Sequence, residues 1–538
     1  MEQGSAIDAT RREQTLLALQ REQFDVLVIG AGVTGCGVAR DCAMRGLRVA
    51  LVDARDIAAA TSSRSTKLIH GGIRYMSQGQ MTVVREASNE RRTLRRLAPH
   101  LAITTSMVVP CRTKTYLAGL RAALKLYEKL GNVDEDERHV VWTHDELKAR
   151  EPSVKMDGLI GAGVYPEYKT EDSRLTLANA RSAASHGATV VTYAAVEEIL
   201  MEGGRAAGAL VRNTLAAKED PFEIRAKVIV NASGTWVDTV RRMEAEKAKR
   251  KMQLTKGIHL IVSRDRLPVE GTICWQGPDG RGLIAVPRYR FVYIGTTDTF
   301  YPDPGYWPQI TREDIDYLKD SANTVFNRGP LTDGDIVGLW SGIRPLLGEA
   351  GKKPHEISRR HEVMTGPGGM ITVAGGKLTA YRTMARRVAD HCQKALGMKP
   401  SPAATEDGPL PGGDFAEPFD QFKRRVESLG LPSVEAERLA MLYGSEALTL
   451  FGTESGPAVE AQFAVMSEGA LTLEDYWVRR SARSNFDDNG GMDALEPAAE
   501  AMGNLLNWSE TEKTNQIEHC RKRRQKEMRV LEKEEDTR

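Results

Sequence analysis

Residues 24–54 read FDVLVIGAGVTGCGVARDCAMRGLRVALVDA, and the order of parts within this stretch decides the fold. FDVLVI is a short apolar strand. Gly30, Gly32 and Gly35 then form GxGxxG at the opening of a helix, and RVALVDA (48–54) is a second strand. In a dinucleotide site the three glycines serve a tight turn, close approach of backbone to a pyrophosphate, and packing of helix against strand. The free N–H groups and positive dipole end of the helix favour the phosphates. Asp53 closes the second strand about 20 residues on, where a carboxylate accepts a bond from a ribose hydroxyl. GxGxxG alone is weak evidence, whereas strand, glycines, helix, strand and acid in this order make a strong βαβ signature.

Further strands are expected at 189–193, 227–232, 258–263, 291–296 and 370–374, and helices at 82–97, 115–130, 174–186, 312–327 and 378–396. This pattern does not alternate strictly, so a single doubly wound sheet is not expected. The expected fold class is α/β with α+β: a Rossmann-type nucleotide domain interleaved with an antiparallel-sheet substrate domain, plus an all-helical C-terminal domain. The nucleotide domain is expected to be discontinuous, at 23–105, 165–257 and 335–397, with the substrate or cap domain at 106–164 and 258–334. Residues 1–22 form a charged extension with no assigned role. The Pro- and Gly-rich stretch 398–416 reads as a linker, and 417–538 as helical. Its final run, RKRRQKEMRVLEKEEDTR, reads as a solvated helix or frayed tail.

With 538 residues the chain is too long for one simple core. Its 74 basic and 73 acidic residues give no general attraction to nucleic acid, so any anion site must be local. The six cysteines are scattered without a CxxC pair, which argues for a reduced protein with neither disulfide framework nor metal site. The N-terminus has no apolar signal region, and no stretch approaches the ~18–20 apolar residues that span a bilayer. A cytoplasmic protein is expected, with a position on a membrane surface left open.

The fingerprint leaves NAD or FAD open. Two features favour FAD: the motif lies at the extreme N-terminus of a long chain, and a second glycine turn, AGGKLTAYRTMA (374–385), follows a strand and opens a helix. Its amides would face the pyrimidine edge of a flavin, which gains negative charge on reduction. The plainer reading is an ordinary strand-to-helix turn. Between the two glycine motifs lies the polar segment TSSRSTKLIHGGIRY (61–75).

With that segment, NASGTW (231–236), KGIHLIV (256–262), IGTTDT (294–299), SGIRPL (341–346) and AGGKLTAYR (374–382) in view, the chain resembles the FAD-dependent glycerol-3-phosphate dehydrogenases. These lie within the wider amino-acid-oxidase-like flavoprotein group. The likeness runs from about residue 23 to 395 and more faintly into LTLEDYWVRRSAR (471–483). It implies oxidation of sn-glycerol 3-phosphate to dihydroxyacetone phosphate, with electrons passing through FAD to a membrane quinone. Two other readings compete: an oxidase using oxygen, which carries an extra insertion not seen here, or another amino-acid-oxidase-like enzyme. A non-catalytic flavin-binding protein would tolerate loss of His259. The resemblance leaves a homodimer open.

The resemblance implies roles residue by residue. His259, which read alone is an ordinary strand histidine, becomes the leading base, with Arg344 as its orienting or electrostatic partner. Arg74, Arg344, Arg359 and Lys377 are the cations for the phosphate. Gly30, Gly32, Gly35, Asp53, Ser62, Ser63, Lys67, His70, Gly71, Gly234, Gly375, Gly376, Lys377, Leu378 and Thr379 are expected at the cofactor. Thr296, Thr297 and Asp298 either polarise the site or cap a turn. Read without the resemblance, Arg344 is a loop arginine, because its neighbours disfavour a helix.

Residues 115–130 place Leu117, Leu120, Leu124 and Tyr127 at helical spacing, with Arg121, Lys125 and Lys129 at every fourth residue. The plain reading is a surface helix packed on its own core. A basic amphipathic helix also suits a lipid interface, and the implied quinone suggests peripheral attachment to the cytoplasmic face of the inner membrane.

Overall fold

The structure is a computed structural model and describes residues 7–73, 76, 81–216, 218–348, 361–402, 404–415, 417–452 and 454–532. Arg74 and Arg359 lie outside the described residues.

The opening stretch folds as its spacing demands. The strand Gln23–Ile29 leads through the glycine turn into the helix Val33–Met44 and on to Val49–Val52. These strands lie in the middle of one sheet. Its parallel core runs Ile371–Gly375, Phe222–Asn231, Gln23–Ile29, Val49–Val52, Thr189–Val191. His361–Thr365 and the hairpin Ala194–Glu202/Arg205–Asn213 add antiparallel strands. The fingerprint helix is buried between Asp172–Ser185 and Tyr381–Ala395, and Val26, Val28, Val38, Cys42, Val230 and Val388 share its core. A parallel strand buried on both faces reads as a continuous apolar run, as FDVLVI does.

The second sheet is almost wholly antiparallel. The strand Met252–Ser263 pairs with Ile336–Leu347 on one side and with Phe291–Gly295 on the other. Gly282–Arg288, Thr272–Gln276, Ile103–Cys111 and Gly161–Lys169 continue the sheet. SGIRPL is therefore not a loop but part of a long strand. Glycine and proline argue against both helix and strand in isolation, yet pairing with Met252–Val262 overrides that preference.

The N-terminal segment straps the edge of the nucleotide sheet. The helix Arg12–Arg21 buries Leu19, and Arg12 donates to the carbonyl oxygens of Thr192 (2.7 Å) and Tyr193 (3.2 Å). The stretch expected as a linker is laid against the nucleotide domain, where Arg40 donates to the Thr405 carbonyl at 3.1 Å and Leu410 is buried.

Beyond it lie helices, among them Ser433–Tyr443, Pro457–Glu468, Leu495–Leu506 and Glu510–Met528. They dock through buried ion pairs: Arg174 with Glu468 (2.6 Å), Arg181 with Glu446 (2.6 Å), and Arg479 and Arg480 on Asp56. The wide π-helical turn Asp475–Arg480 brings the last two arginines together. The charged run is not simply solvated, since Arg523 lies over the Trp307 ring and Met528, Val530 and Leu531 pack, partly buried, against the core of the second sheet.

Inside the helical domain, buried Glu460 receives Arg438 (2.7 Å) and Arg483 (2.5 Å). Burial by itself raises its carboxyl, but the two guanidiniums outweigh burial and hold it at about 2. The stability from this depressed carboxyl is full above the ordinary carboxylate range and is lost as pH falls toward about 2. Glu460→Ala removes the buried carboxylate that Arg438 and Arg483 share, leaving them Glu435 and Asp487 at its edge, and is expected to cost about 3 kcal/mol of unfolding free energy. The measurement is the urea midpoint, and an unchanged midpoint contradicts this account.

Candidate active site

Two cavities meet at Thr61. The first, about 220 Å³, lies over the fingerprint and is lined by Gly30, Gly32, Asp53, Ser62, Gly234 and Trp236, among others. Gly30 has φ +108, and a Cβ there would lie 2.7 Å from the Ala232 carbonyl oxygen. A Cβ on Gly35 would lie 1.8 Å from the Gly30 carbonyl oxygen. No side chain fits at either position, so only glycines let the turn pack this closely on itself and on Ala232. Asp53 braces this turn, accepting from the backbone N–H of Ala31 (2.6 Å) and Arg55 (2.9 Å). Burial raises its carboxyl to about 6. Ser62 Oγ accepts from the N–H of Val33 at 2.9 Å, which caps the fingerprint helix inside the cavity. Ser63 is buried with its hydroxyl on the Ala60 carbonyl (3.2 Å) and lines neither cavity.

The second cavity, about 390 Å³, brings the remaining motifs together. One wall carries His70 with Gly376, Lys377, Leu378 and Thr379. Thr379 Oγ1 stitches the two loops, accepting from the His70 N–H and donating to its carbonyl, both at 3.2 Å. Gly375 and Gly376 have φ +74 and +100, which turn the chain into the short helical segment Leu378–Ala380. Gly71 lies against Tyr127, whose hydroxyl would be 1.9 Å from a Cβ there, and its N–H donates to Glu167 at 3.0 Å.

Lys67 departs from the expectation that it runs along the cofactor. Its ammonium is buried away from both cavities, on Glu171 (2.5 Å), Asp172 (2.6 Å) and the Ser63 carbonyl (3.1 Å). A buried ammonium needs carboxylates around it, and the start of the helix Asp172–Ser185 supplies them.

The opposite wall comes from the paired strands. His259 is fully enclosed, with its ring stacked on Trp340 at 4.3 Å and Nε2 3.2 Å from Thr66 Oγ1. Gly295 leaves room for it, since a Cβ there would meet the ring at 2.2 Å. Gly257 leaves room in the same way for the Arg344 guanidinium, which would also lie 2.2 Å from a Cβ. Arg344 donates to Asp298 Oδ1 (3.2 Å) and Thr296 Oγ1 (2.9 Å). Thr296 and Asp298 thus orient the arginine, while Thr297 accepts from the Ile258 N–H at 3.1 Å and is structural. Burial first, then the positive charges of Arg344 and Lys67, push the His259 pKa well below 6.5.

Arg281 and Glu167 also line this cavity and were not expected from the sequence. Arg281 sits in the turn GPDGRG and donates to the Asp298 carbonyl at 3.1 Å. A turn arginine carries no mark of function, whereas an acid inside the strand sequence YPEYK was a readable signal.

A glycine turn of the dinucleotide-binding kind, joined to a cavity that holds a buried histidine and an oriented arginine, is the arrangement of a nucleotide-dependent oxidoreductase, and the comparisons with known proteins specify a flavin enzyme. The family model for FAD dependent oxidoreductases matches residues 25–382, and that for the C-terminal domain of alpha-glycerophosphate oxidase matches 403–513. The aerobic glycerol-3-phosphate dehydrogenase of Bacillus subtilis (strain 168) is 36% identical over 536 residues, 95% of this chain and 96% of that one. That of Staphylococcus aureus (strain USA300) is 36% identical over 529 residues, 94% and 95% of the two chains. Among solved structures, the glycerol-3-phosphate dehydrogenase from Bacillus halodurans complexed with FAD superposes with TM-score 0.81 at 31% identity, covering 98% of this chain and 100% of that one. The chain belongs to the FAD-dependent oxidoreductase family, in the group of the aerobic glycerol-3-phosphate dehydrogenases. An L-alpha-glycerophosphate oxidase from Mycoplasma pneumoniae shares the fold over 72% of this chain and 99% of that one, with TM-score 0.56 and 17% identity.

His259 is expected to stay unprotonated in the substrate-free protein at pH 6.5, the ordinary midpoint of a histidine. Histidine-selective NMR, with the signal assigned by a His259→Gln variant, measures this, and a midpoint at or above 6.5 contradicts it.

Proposed function

We propose that the protein oxidises sn-glycerol 3-phosphate to dihydroxyacetone phosphate with FAD and passes the electrons to a quinone. The observation that carries this reading is the convergence of buried neutral His259, braced Arg344 and Lys377 on one cavity joined to the fingerprint. The glycine turns, Ser62, His70 and Thr379 fit FAD, which when bound supplies the hydride acceptor for an alcohol carbon.

The protein's own residues do the rest. The phosphate is close to a dianion at neutral pH and needs charge-assisted donors. Arg344 and Lys377 supply them, and Asp298 and Thr296 fix the direction in which the guanidinium points. His259 Nε2, on the Thr66 and Gly295 side of the ring, takes the hydroxyl proton. An imidazolium enclosed beside Arg344 is costly in the empty site. The incoming dianion offsets that cost, so proton acceptance is coupled to substrate binding.

Anaerobic addition of glycerol 3-phosphate is expected to bleach the visible flavin absorbance of the purified holoenzyme. His259→Ala is expected to slow bleaching by ~10²-fold or more. Bleaching by amines but not by glycerol 3-phosphate overturns the substrate assignment, and oxygen consumption in a parallel aerobic assay identifies an oxidase.

We propose further that the enzyme docks on the cytoplasmic face of the inner membrane through the helix Lys114–Gly131. Its sequence-level apolar row serves the core, with Leu124 and Tyr127 buried. The outer surface nevertheless exposes Tyr116 (51%) and Leu126 (42%) among Arg121, Lys125 and Lys129. Val140 and Val141 are exposed on a strand paired to Gly161–Lys169, the strand this helix packs against. Among the described residues no helix is long and apolar enough to cross a membrane. Basic residues beside exposed apolar ones suit an anionic lipid surface. Changing Arg121, Lys125 and Lys129 together to Glu is expected to abolish co-sedimentation with anionic liposomes, and unchanged binding removes this surface from consideration.

A further inference from the structure

The segment Gly305, Tyr306, Trp307, Pro308, Gln309 touches three parts of the molecule within five residues. Its trailing end is pinned to the substrate sheet. Ser341 Oγ donates to the Pro308 carbonyl at 2.6 Å and Lys256 Nζ to the Gln309 carbonyl at 2.8 Å. Both anchors come from the strands that carry Arg344 and His259.

Tyr306 reaches the other way and lines the nucleotide cavity. Its ring lies 4.5 Å from that of Trp236, tilted by 35°, and the Arg55 guanidinium stands 4.9 Å from the Tyr306 ring. Arg55 lies two residues beyond the strand-end acid, so the pair closes the side of the cavity that Asp53 occupies.

Trp307 is held between two guanidiniums, Arg64 at 3.2 Å and Arg523 at 3.3 Å from the ring centroid. Arg64 belongs to the polar loop that joins the two cavities and is only 6% exposed. Its Nε and one terminal nitrogen have no hydrogen-bond partner among the described residues, so stacking on Trp307 is the contact that holds it. Arg523 belongs to the last long helix, Glu510–Met528, and pairs with Glu527 at 3.2 Å. Guanidinium planes stack on aromatic faces better than any other cation, and a lysine does not replace them there.

We propose that Gly305–Gln309 is a lid over the adenosine half of the FAD site, in which Tyr306 covers the nucleotide and the Arg64–Trp307–Arg523 stack latches the lid to the C-terminal helix. The helical domain thereby governs how long FAD stays bound. This rests on the family's cofactor and not on which alcohol is oxidised, so it stands or falls separately from the substrate.

The test is the FAD release rate of the holoenzyme, followed by the rise of free-flavin fluorescence after dilution. Tyr306→Ala and Arg523→Ala are each expected to speed release on the order of tenfold, as loss of one aromatic stack does. Tyr306→Phe is expected to keep the wild-type rate, and Arg523→Lys to follow Arg523→Ala. KM for glycerol 3-phosphate at saturating FAD is expected to stay unchanged. Wild-type release from Tyr306→Ala overturns the lid, and wild-type release from Arg523→Ala overturns the latch. Equal acceleration by Arg521→Ala, an exposed position on the same helix, would show general loosening and overturn both.

Discussion

The site depends on the register between Met252–Ser263 and Ile336–Leu347. In that register His259 stands opposite Trp340, Gly257 opposite Gly342, and Thr255 opposite Arg344. The indole then stacks on the imidazole, and the open space beside Gly257 receives the guanidinium. A slip of one residue would turn His259 to the other face of the sheet and drive Arg344 against a side chain. The neighbouring strand adds a second constraint, since Gly295 faces His259 and only a glycine leaves the ring its volume. A histidine and an arginine are thus placed by backbone pairing and by missing side chains, not by a flexible loop. That is the rigidity a hydride transfer needs, because reacting atoms must be held to fractions of an ångström.

The electrostatics follow from this placement. The chain is nearly neutral overall, at +1, so its field does not gather anions. Arg344 and Lys377 converge on the cavity from separate motifs, whereas Lys67 is neutralised by Glu171 and Asp172 beneath it. Asp298 on Arg344 keeps the empty site from carrying bare positive charge, and enclosure keeps His259 neutral. On the proposed function, a bound dianion would change both balances at once and so tie the basicity of His259 to its substrate.

What was legible in the sequence was what local spacing determines. FDVLVIGAGVTG dictates its own strand, turn and helix. The helices expected at 82–97 and 115–130 appear as Met81–Leu97 and Lys114–Gly131. The second glycine turn follows the strand Ile371–Gly375 and opens into a helix, as its sequence indicates. Long-range partners were not legible. SGIRPL reads as a loop until its pairing with Met252–Ser263 is known. Lys67 looks like a site cation until Glu171 and Asp172, more than a hundred residues away, are seen around it. Arg281 carries no signal, because a turn arginine looks the same whether it faces solvent or a cavity. The expected phosphate ligands Arg74 and Arg359 lie outside the described residues.

The helical C-terminal domain looked from sequence like an appendage after a linker. Its contacts argue that it fixes the loop on which both cavities depend. Arg479 and Arg480 grip Asp56, which lies between the acid that braces the glycine turn and the loop that joins the two cavities. Buried ion pairs contribute little net stability compared with apolar packing, but each is strongly unfavourable to break. They therefore act as register pins. With Asp56 fixed on the helical domain, the path of residues 53–64 is fixed as well, and with it Ser62 at the helix start and Thr61 at the junction of the cavities. The nucleotide strand ends, the substrate sheet and the terminal helices thus hold one short loop from three sides, and both cavities take their shape from it.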